Sequence, residues 1–252
     1  MIALKSAREI EIMRRANVIV AEVLQELKQR VAPGVTTLEL DAIAEELTLK
    51  RKALPAFKGY AVAGRVFPRC LCVSINEEIV HGIPSNRALR EGDIVGLDYG
   101  VIYEGFYGDS AITVGVGKVS EQARALMGVT EQALYQGIEQ LHEGKRLGDL
   151  GSVVQRIAEA AGYSVVRAFV GHGIGKKLHE EPPVPNYGEP DRGVRLKEGM
   201  VLAIEPMLNA GGCEVEIKED GWTAVTKDGS LAAHFEHSVA ITRNGPYILS
   251  QL

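Results

Sequence analysis

Cysteine is scarce in this sequence. Three residues, Cys70, Cys72 and Cys213, stand in a chain of 252. Their odd number and the lack of CxxC spacing argue against a disulfide framework or a thiolate zinc site, and fit a reducing cytoplasm. Long apolar runs are missing as well, since nothing approaches the roughly 20 residues that span a bilayer. The opening "MIALKSAREIEIMRR" turns charged at once and has no apolar signal-peptide core. Nor is there a basic excess: the net charge of −5 gives no support to nucleic-acid binding. The patterns GxxxxGK[ST], GxSxG and HExxH are absent, and no carboxylate run fits a calcium loop. The expectation is a cytoplasmic globular protein with no membrane partner and no specific nucleic-acid partner.

What is present is ordinary in amount, with 46% hydrophobic and 24% charged residues, and suits one domain over residues 1–252. Ser6 with Glu9 forms a capping box ahead of the stripe Ile10, Met13, Val20, Leu24, Leu27 and Val31, and Thr36 with Glu39 repeats the signal. A third helix is expected from near Ser120 to about Leu141, and a fourth after Asp149, ending at Gly162. These signals recur. Val31, Gly34, Leu40, Ile43 and Leu47 match Leu141, Gly144, Leu150, Val153 and Ile157, each 110 positions later. "LREGDIVGLD" at 89–98 matches "LKEGMVLAIE" at 196–205, an offset of 107, and "HGI" stands at both 81–83 and 172–174. Their common order predicts two duplicated halves, at about 5–115 and 116–250.

The stretch "GDIVGLDYGVIYEGFYGDSAITVG" at 92–115 reads as two strands and a turn, interrupted by Asp98 and Asp109. A buried carboxylate is costly without compensation, and a metal ion can supply it. Duplication makes Asp98 and Glu205 the ends of equivalent strands, completed by Asp109 and by Glu236. A lone Asp at a strand end is usually a turn residue, and a lone His beside glycines is usually structural. Glu205, inside the apolar "VLAIEPML", fits such a reading least. Asp98, Asp109, His172, Glu205 and Glu236 together form an oxygen-rich set with one nitrogen, suited to two divalent ions such as Mn(II), Fe(II) or Co(II). His81 and His179 are expected beside the site. His234 shares the face of Glu236, whereas His237 should point away and His142 sits at a helix end.

These residues lie in motifs that resemble type I methionine aminopeptidases of the bacterial kind. The similarity rests on "SINEEIVHGIP", "DYGVIYEGFYGDSA", "GHGIGKKLHEEP", "IEPM" and "DGWTAVTKDGSLAAHFEH" and covers nearly the whole chain. It implies an α/β (α+β) pita-bread fold, with pseudo-two-fold halves and a central curved antiparallel sheet flanked by helices. It implies the same five metal ligands, with Asp109 and Glu236 bridging two ions, Co, Mn or Fe, and Zn also admitted. It implies that Glu205 moves the proton, that His81 positions substrate, and that His179 stabilises the carbonyl oxygen. Phe67, Cys72 and Trp222 match the methionine pocket, while "KGYAVAGRVFPRC" departs from the usual pattern around Tyr60, and Leu178 replaces a commoner aromatic. The implied task is removal of the N-terminal Met of nascent polypeptides when the second residue is small, by a monomer with transient ribosome contact.

Two rivals share the fold. X-Pro aminopeptidases and prolidases carry a sizeable N-terminal domain, and with a first capping box at Ser6 no such domain is expected here. A non-catalytic pita-bread binding module would lose ligands, and all five are present here.

Overall fold

In the computed structural model, which describes residues 2–252, four helices lie against a curved antiparallel sheet, as expected. The helices are α1 (Ala7–Arg30), α2 (Thr37–Lys50), α3 (Glu121–Ile138) and α4 (Leu147–Ala160). The capping box of α1 forms: the Ser6 amide donates to Glu9 at 2.9 Å, and the Glu9 amide to the Ser6 hydroxyl at 3.3 Å. Helix α4 begins before Asp149 rather than after it. Asp149 occupies the first turn and caps from within, accepting the Arg146 and Asp191 amides at 2.8 Å each. That reciprocal half of a capping box satisfies orphan amides, so the helix starts earlier.

The main sheet contains β1 (Leu71–Ile75), β2 (Ile94–Tyr103), β3 (Phe106–Gly115), β4 (Gly171–Gly173), β5 (Glu180–Val184), β6 (Val201–Ile204), β7 (Glu236–Thr242) and β8 (Gly245–Ile248). Leu54–Pro55 completes its nine strands, in the order Leu54–Pro55, β2, β3, β7, β6, β4, β5, with β1 also on β2 and β8 on β7. Strands β2 and β3 are the expected pair, turned at Glu104 and Gly105 with φ of 49° and 80°. Two positive φ values in a two-residue loop match the twist of the flanking strands.

Alternation divides the sheet's two faces. Val95, Leu97, Tyr99 and Val101 pack with α1 and α2, while Leu202, Ile204, Val239 and Ile241 pack with α3 and α4. Burial of each such side chain contributes roughly 1.5–3 kcal/mol against the entropy of ordering it. Helix α1 approaches β3 so closely that a Cβ on Gly108 would stand 2.8 Å from the Ala16 carbonyl carbon. The helices thus fill one face, and the residues alternating with the core occupy the other.

The two halves share a pattern of backbone hydrogen bonds. Gly34 donates to Leu89 at 2.8 Å and Gly144 to Leu196 at 3.0 Å, and Leu89 and Leu196 donate back to Val35 and Lys145, both at 2.8 Å. Isolated bridges join Thr36 to Ala88 and Arg146 to Arg195. These pairs carry the same two offsets as the sequence matches. In one respect the halves differ from expectation. Asp98 lies mid-strand in β2, whereas Glu205 follows the end of β6. Pro206 has no amide to continue the ladder, while β2 pairs with β3 to its last residue.

Candidate metal centre

Strand register brings the five predicted ligands onto the face that the helices leave open. Asp98, Ala111 and Glu236 stand abreast on β2, β3 and β7, and Asp109 pairs with Gly100. His172, Ala203 and Ser238 form a second row across β4, β6 and β7, and Glu205 lies two positions beyond Ala203. Directly opposed residues share a face, as do alternate residues along a strand, so all five carry the same parity.

The convergence is close. One ligand atom each from Asp109, His172 and Glu236 lie within 4.8 Å of one another. His172 Nε2 stands 3.5 Å from Glu205 Oε1 and 4.0 Å from Asp109 Oδ2. Asp98 and Glu205 line the same cavity, outside that tightest group. Asp109 Oδ1 and Glu236 Oε1 are buried without a hydrogen-bond partner. His172 Nδ1 lies 2.9 Å from the Gly173 carbonyl, to which it donates, so the Nε2 lone pair faces the carboxylates. Among the described residues lining the cavity, Arg65 is the one side chain with a full positive charge. A lone pair and orphaned carboxylate oxygens this close together call for a cation. The donor set fits a hard or borderline divalent ion.

Burial sets the electrostatics. It pushes the Asp98 carboxyl up to about 7. Burial first, then the neighbouring carboxylates, hold Asp109, Glu205 and Glu236 well above the usual carboxylate range. Burial also lowers His172 and His234 to about 3 and His81 to about 4, and lowers His179, so all four are neutral at pH 7.

Side chains brace the site's backbone where the β3–β7 ladder opens after two residue pairs. Ser110 Oγ donates to the Glu236 carbonyl at 2.5 Å, and Ser238 Oγ to the Asp109 carbonyl at 2.8 Å. The Asp109 amide donates to Asn17 Oδ1 at 3.2 Å, and Asn17 Nδ2 donates to the Met13 carbonyl at 2.9 Å. Asn17 was not foreseen, although the signal was there: it interrupts the buried stripe Met13, Val20, Leu24 at helical spacing.

The remaining histidines separate by face. His179 Nδ1 is 2.6 Å from the Tyr60 hydroxyl, and its ring centroid is 4.3 Å from that of His172. His81 lines the cavity edge-on to Phe169 at 5.3 Å, with a left-handed φ of 63°. His234 Nε2 lies 4.0 Å from Glu205 Oε2. His237 points to the helix side, toward the Tyr135 hydroxyl at 3.1 Å and Ser250 Oγ at 2.8 Å.

Above the carboxylates lies a cavity of about 400 Å³, walled by Phe67, Cys72, Leu178 and Trp222 together with Phe57 and Tyr60. The Phe67 and Trp222 rings meet edge to face at 5.3 Å. Tyr60, unplaced by sequence, takes its position from the pairing of the Phe67 amide with the Tyr60 carbonyl at 2.8 Å. The hairpin between these two residues lets both side chains reach one wall. Phe57 and Phe169 carried no local signal, since each becomes part of the wall only through distant contacts.

Residues 11–243 match the model of metallopeptidase family M24. The chain is 52% identical over 250 residues to a methionine aminopeptidase of Clostridium perfringens, covering 99% of each. It superposes on a methionine aminopeptidase from Thermotoga maritima with a TM-score of 0.97, at 45% identity and full coverage of both chains. A prolidase from Pyrococcus furiosus has a TM-score of 0.80 at 25% identity, and here the match spans 99% of this chain and 65% of the prolidase.

Proposed function

Metallopeptidase family M24 is the family to which this chain belongs, and on that premise we propose that it is a methionyl aminopeptidase, a hydrolase that removes the N-terminal Met of peptides and nascent polypeptides when the second residue is small. The observation that carries the reading is the buried group Asp109, His172 and Glu236, with ligand atoms within 4.8 Å, at the floor of an apolar-walled cavity. With Asp98 and Glu205 these residues would hold two divalent ions, Co, Mn or Fe with Zn also admitted, supplying Lewis acidity toward water and the scissile carbonyl.

The chain's own side chains account for the other requirements. Phe67, Cys72 and Trp222 offer the methionine side chain an apolar slot. Glu205, whose burial strengthens its hold on a proton, takes one from the attacking water and returns it to the leaving amine. Burial keeps the Tyr60 phenol protonated, and in the tautomer this mechanism uses its hydroxyl donates to His179 Nδ1, 2.6 Å away. The His179 proton then sits on Nε2, ready to donate to the carbonyl oxygen as charge develops there. Neutral His81, in the lining of the same cavity, positions the peptide. Transient ribosome contact through the domain's own surface, a monomeric state and a cytoplasmic location belong to the same proposal, the ribosome contact following from action on nascent polypeptides. No helix among the described residues is long and apolar enough to cross a membrane.

Initial rates on Met-Ala-Ser, Met-Lys-Ser and Ala-Pro-Ser test the reading, first with metal removed and then with Mn(II), Fe(II) or Co(II) restored. Metal-dependent release of Met from Met-Ala-Ser alone is expected. Cleavage of Ala-Pro-Ser instead would transfer the protein to the X-Pro branch, and no cleavage with metal bound would make it a binding module.

A further inference from the structure

Among the described residues nine large hydrophobic side chains stand markedly exposed, and three of them, Val62 at 48%, Val66 at 58% and Ile217 at 51%, belong to two segments that meet beside the cavity. The first is a small hairpin in which Ala61 pairs with Val66 and Val62 with Arg65. Its turn, Ala63 and Gly64, has φ of 49° and 80°. A left-handed alanine costs roughly 1–2 kcal/mol, so the hairpin keeps its shape against local preference. The Phe67 amide closes its base on the Tyr60 carbonyl at 2.8 Å, and Arg65 Nη1 ties it to the Gly221 carbonyl at 2.9 Å. Val62, Ala63, Arg65 and Ile217 line the same cavity as the metal centre.

We propose that Val62 and Ile217 form an apolar lip that reads the third and fourth residues of the peptide and favours large apolar side chains there. The inference rests on the aminopeptidase reading and names a substrate preference within it. A peptide whose first bond is cut at the cavity floor has one exit for the rest of its chain, the mouth. The second residue must be small because it sits beside the crowded centre, so the third and fourth are the first that can spread over the rim. Aliphatic side chains left half in water at such a rim lose exposed apolar surface when an apolar substrate side chain covers them. Arg65 adds a positive charge to the same rim and disfavours a lysine there.

The test compares kcat/KM on Met-Ala-Leu-Leu, Met-Ala-Ser-Ser and Met-Ala-Lys-Lys for the metal-loaded wild type, V62S, I217S and the double variant. The wild type is expected to prefer the leucine peptide over the serine peptide by about tenfold, mostly through KM, and to cleave the lysine peptide least. In the double variant the leucine-to-serine ratio should fall to about twofold. Each ratio compares two substrates on one enzyme sample, so it does not depend on the fraction of protein that folds. A wild-type ratio near one, or a ratio unchanged in the double variant, overturns the lip and leaves the aminopeptidase reading standing. Failure to release Met from all three peptides overturns both.

Discussion

The two halves of this molecule start from matching local signals and end with different duties at the site. Each has a helix pair, an HGI and an apolar strand with an acidic residue at the matched position. The first half brings Asp98 and Asp109 in on one long hairpin, so a single ladder sets their separation. The second gathers His172, Glu205 and Glu236 from β4, the end of β6 and β7. The two HGI stretches differ most. His172 is held in β4 between β6 and β5, in a ladder that forces it extended onto the ligand face. His81 follows the short strand Glu78–Val80 and takes a left-handed φ of 63°, which turns it to the cavity wall. One tripeptide therefore supplies a proposed ligand in one half and a proposed positioning residue in the other. The neighbouring strands decide which.

The strongest way to break the comparison is to remove its two matched acids. Glu205→Ala should lower kcat by about 10²–10⁴-fold at saturating metal, since a proton-transfer group is lost as well as a ligand. Asp98→Ala should be partly restored by excess metal, because only a ligand is missing. Equal recovery of the two variants in a metal titration would make the halves equivalent and end the dual role of Glu205.

A smaller effect tests the brace on Asp109, held by Asn17 within its own half and by Ser238 from the other. Asn17 from α1 and Ser238 from β7 grip the amide and carbonyl of Asp109. Asn17→Ala and Ser238→Ala should each weaken metal binding by about 10–100-fold in calorimetry, and Ser238→Thr, which keeps the hydroxyl, should stay near wild type. Unchanged affinity in both alanine variants would reduce the brace to packing.

The smallest effect is a pH dependence of the metal-free protein. The site carboxyls bind protons more tightly folded than unfolded, with Asp98 raised to about 7. Their contribution is complete below the unfolded value of about 4 and is lost as pH rises through the folded one. The buried histidines, lowered to about 3 or 4 from 6.5, act oppositely and withdraw stability as pH falls below 6.5. Above about pH 7.5 the histidines are almost wholly neutral in both states, so the carboxyls dominate there. The melting temperature should fall by a few degrees between pH 7.5 and 8.5, and added Mn(II) should raise it more at pH 8.5, where fewer protons compete. A flat or rising profile without metal would show that the carboxyls do not repel one another as their burial implies.

Much of this was legible before the fold. Capping boxes at Ser6 and Thr36, the paired strands around Glu104 and Gly105, and the recurrence at 110 and 107 positions are local patterns, and local patterns express backbone and periodicity preferences directly. The four acids stood out for a similar reason, since carboxylates inside apolar strands demand a partner. Other features had no local trace. Tyr60 reaches His179 across 119 positions, Asn17 reaches Asp109 across 92, and Arg65 reaches Gly221 across 156.

Residue type and short-range spacing were enough, then, for the helices, the hairpin, the duplicated plan and the choice of residues proposed as the site. The folded chain alone shows that the five proposed ligands share one face, that the two HGI histidines part company, and that a small hairpin helps line the cavity. Those outcomes depend on strand register and on which segments meet, and both are set by long-range pairing.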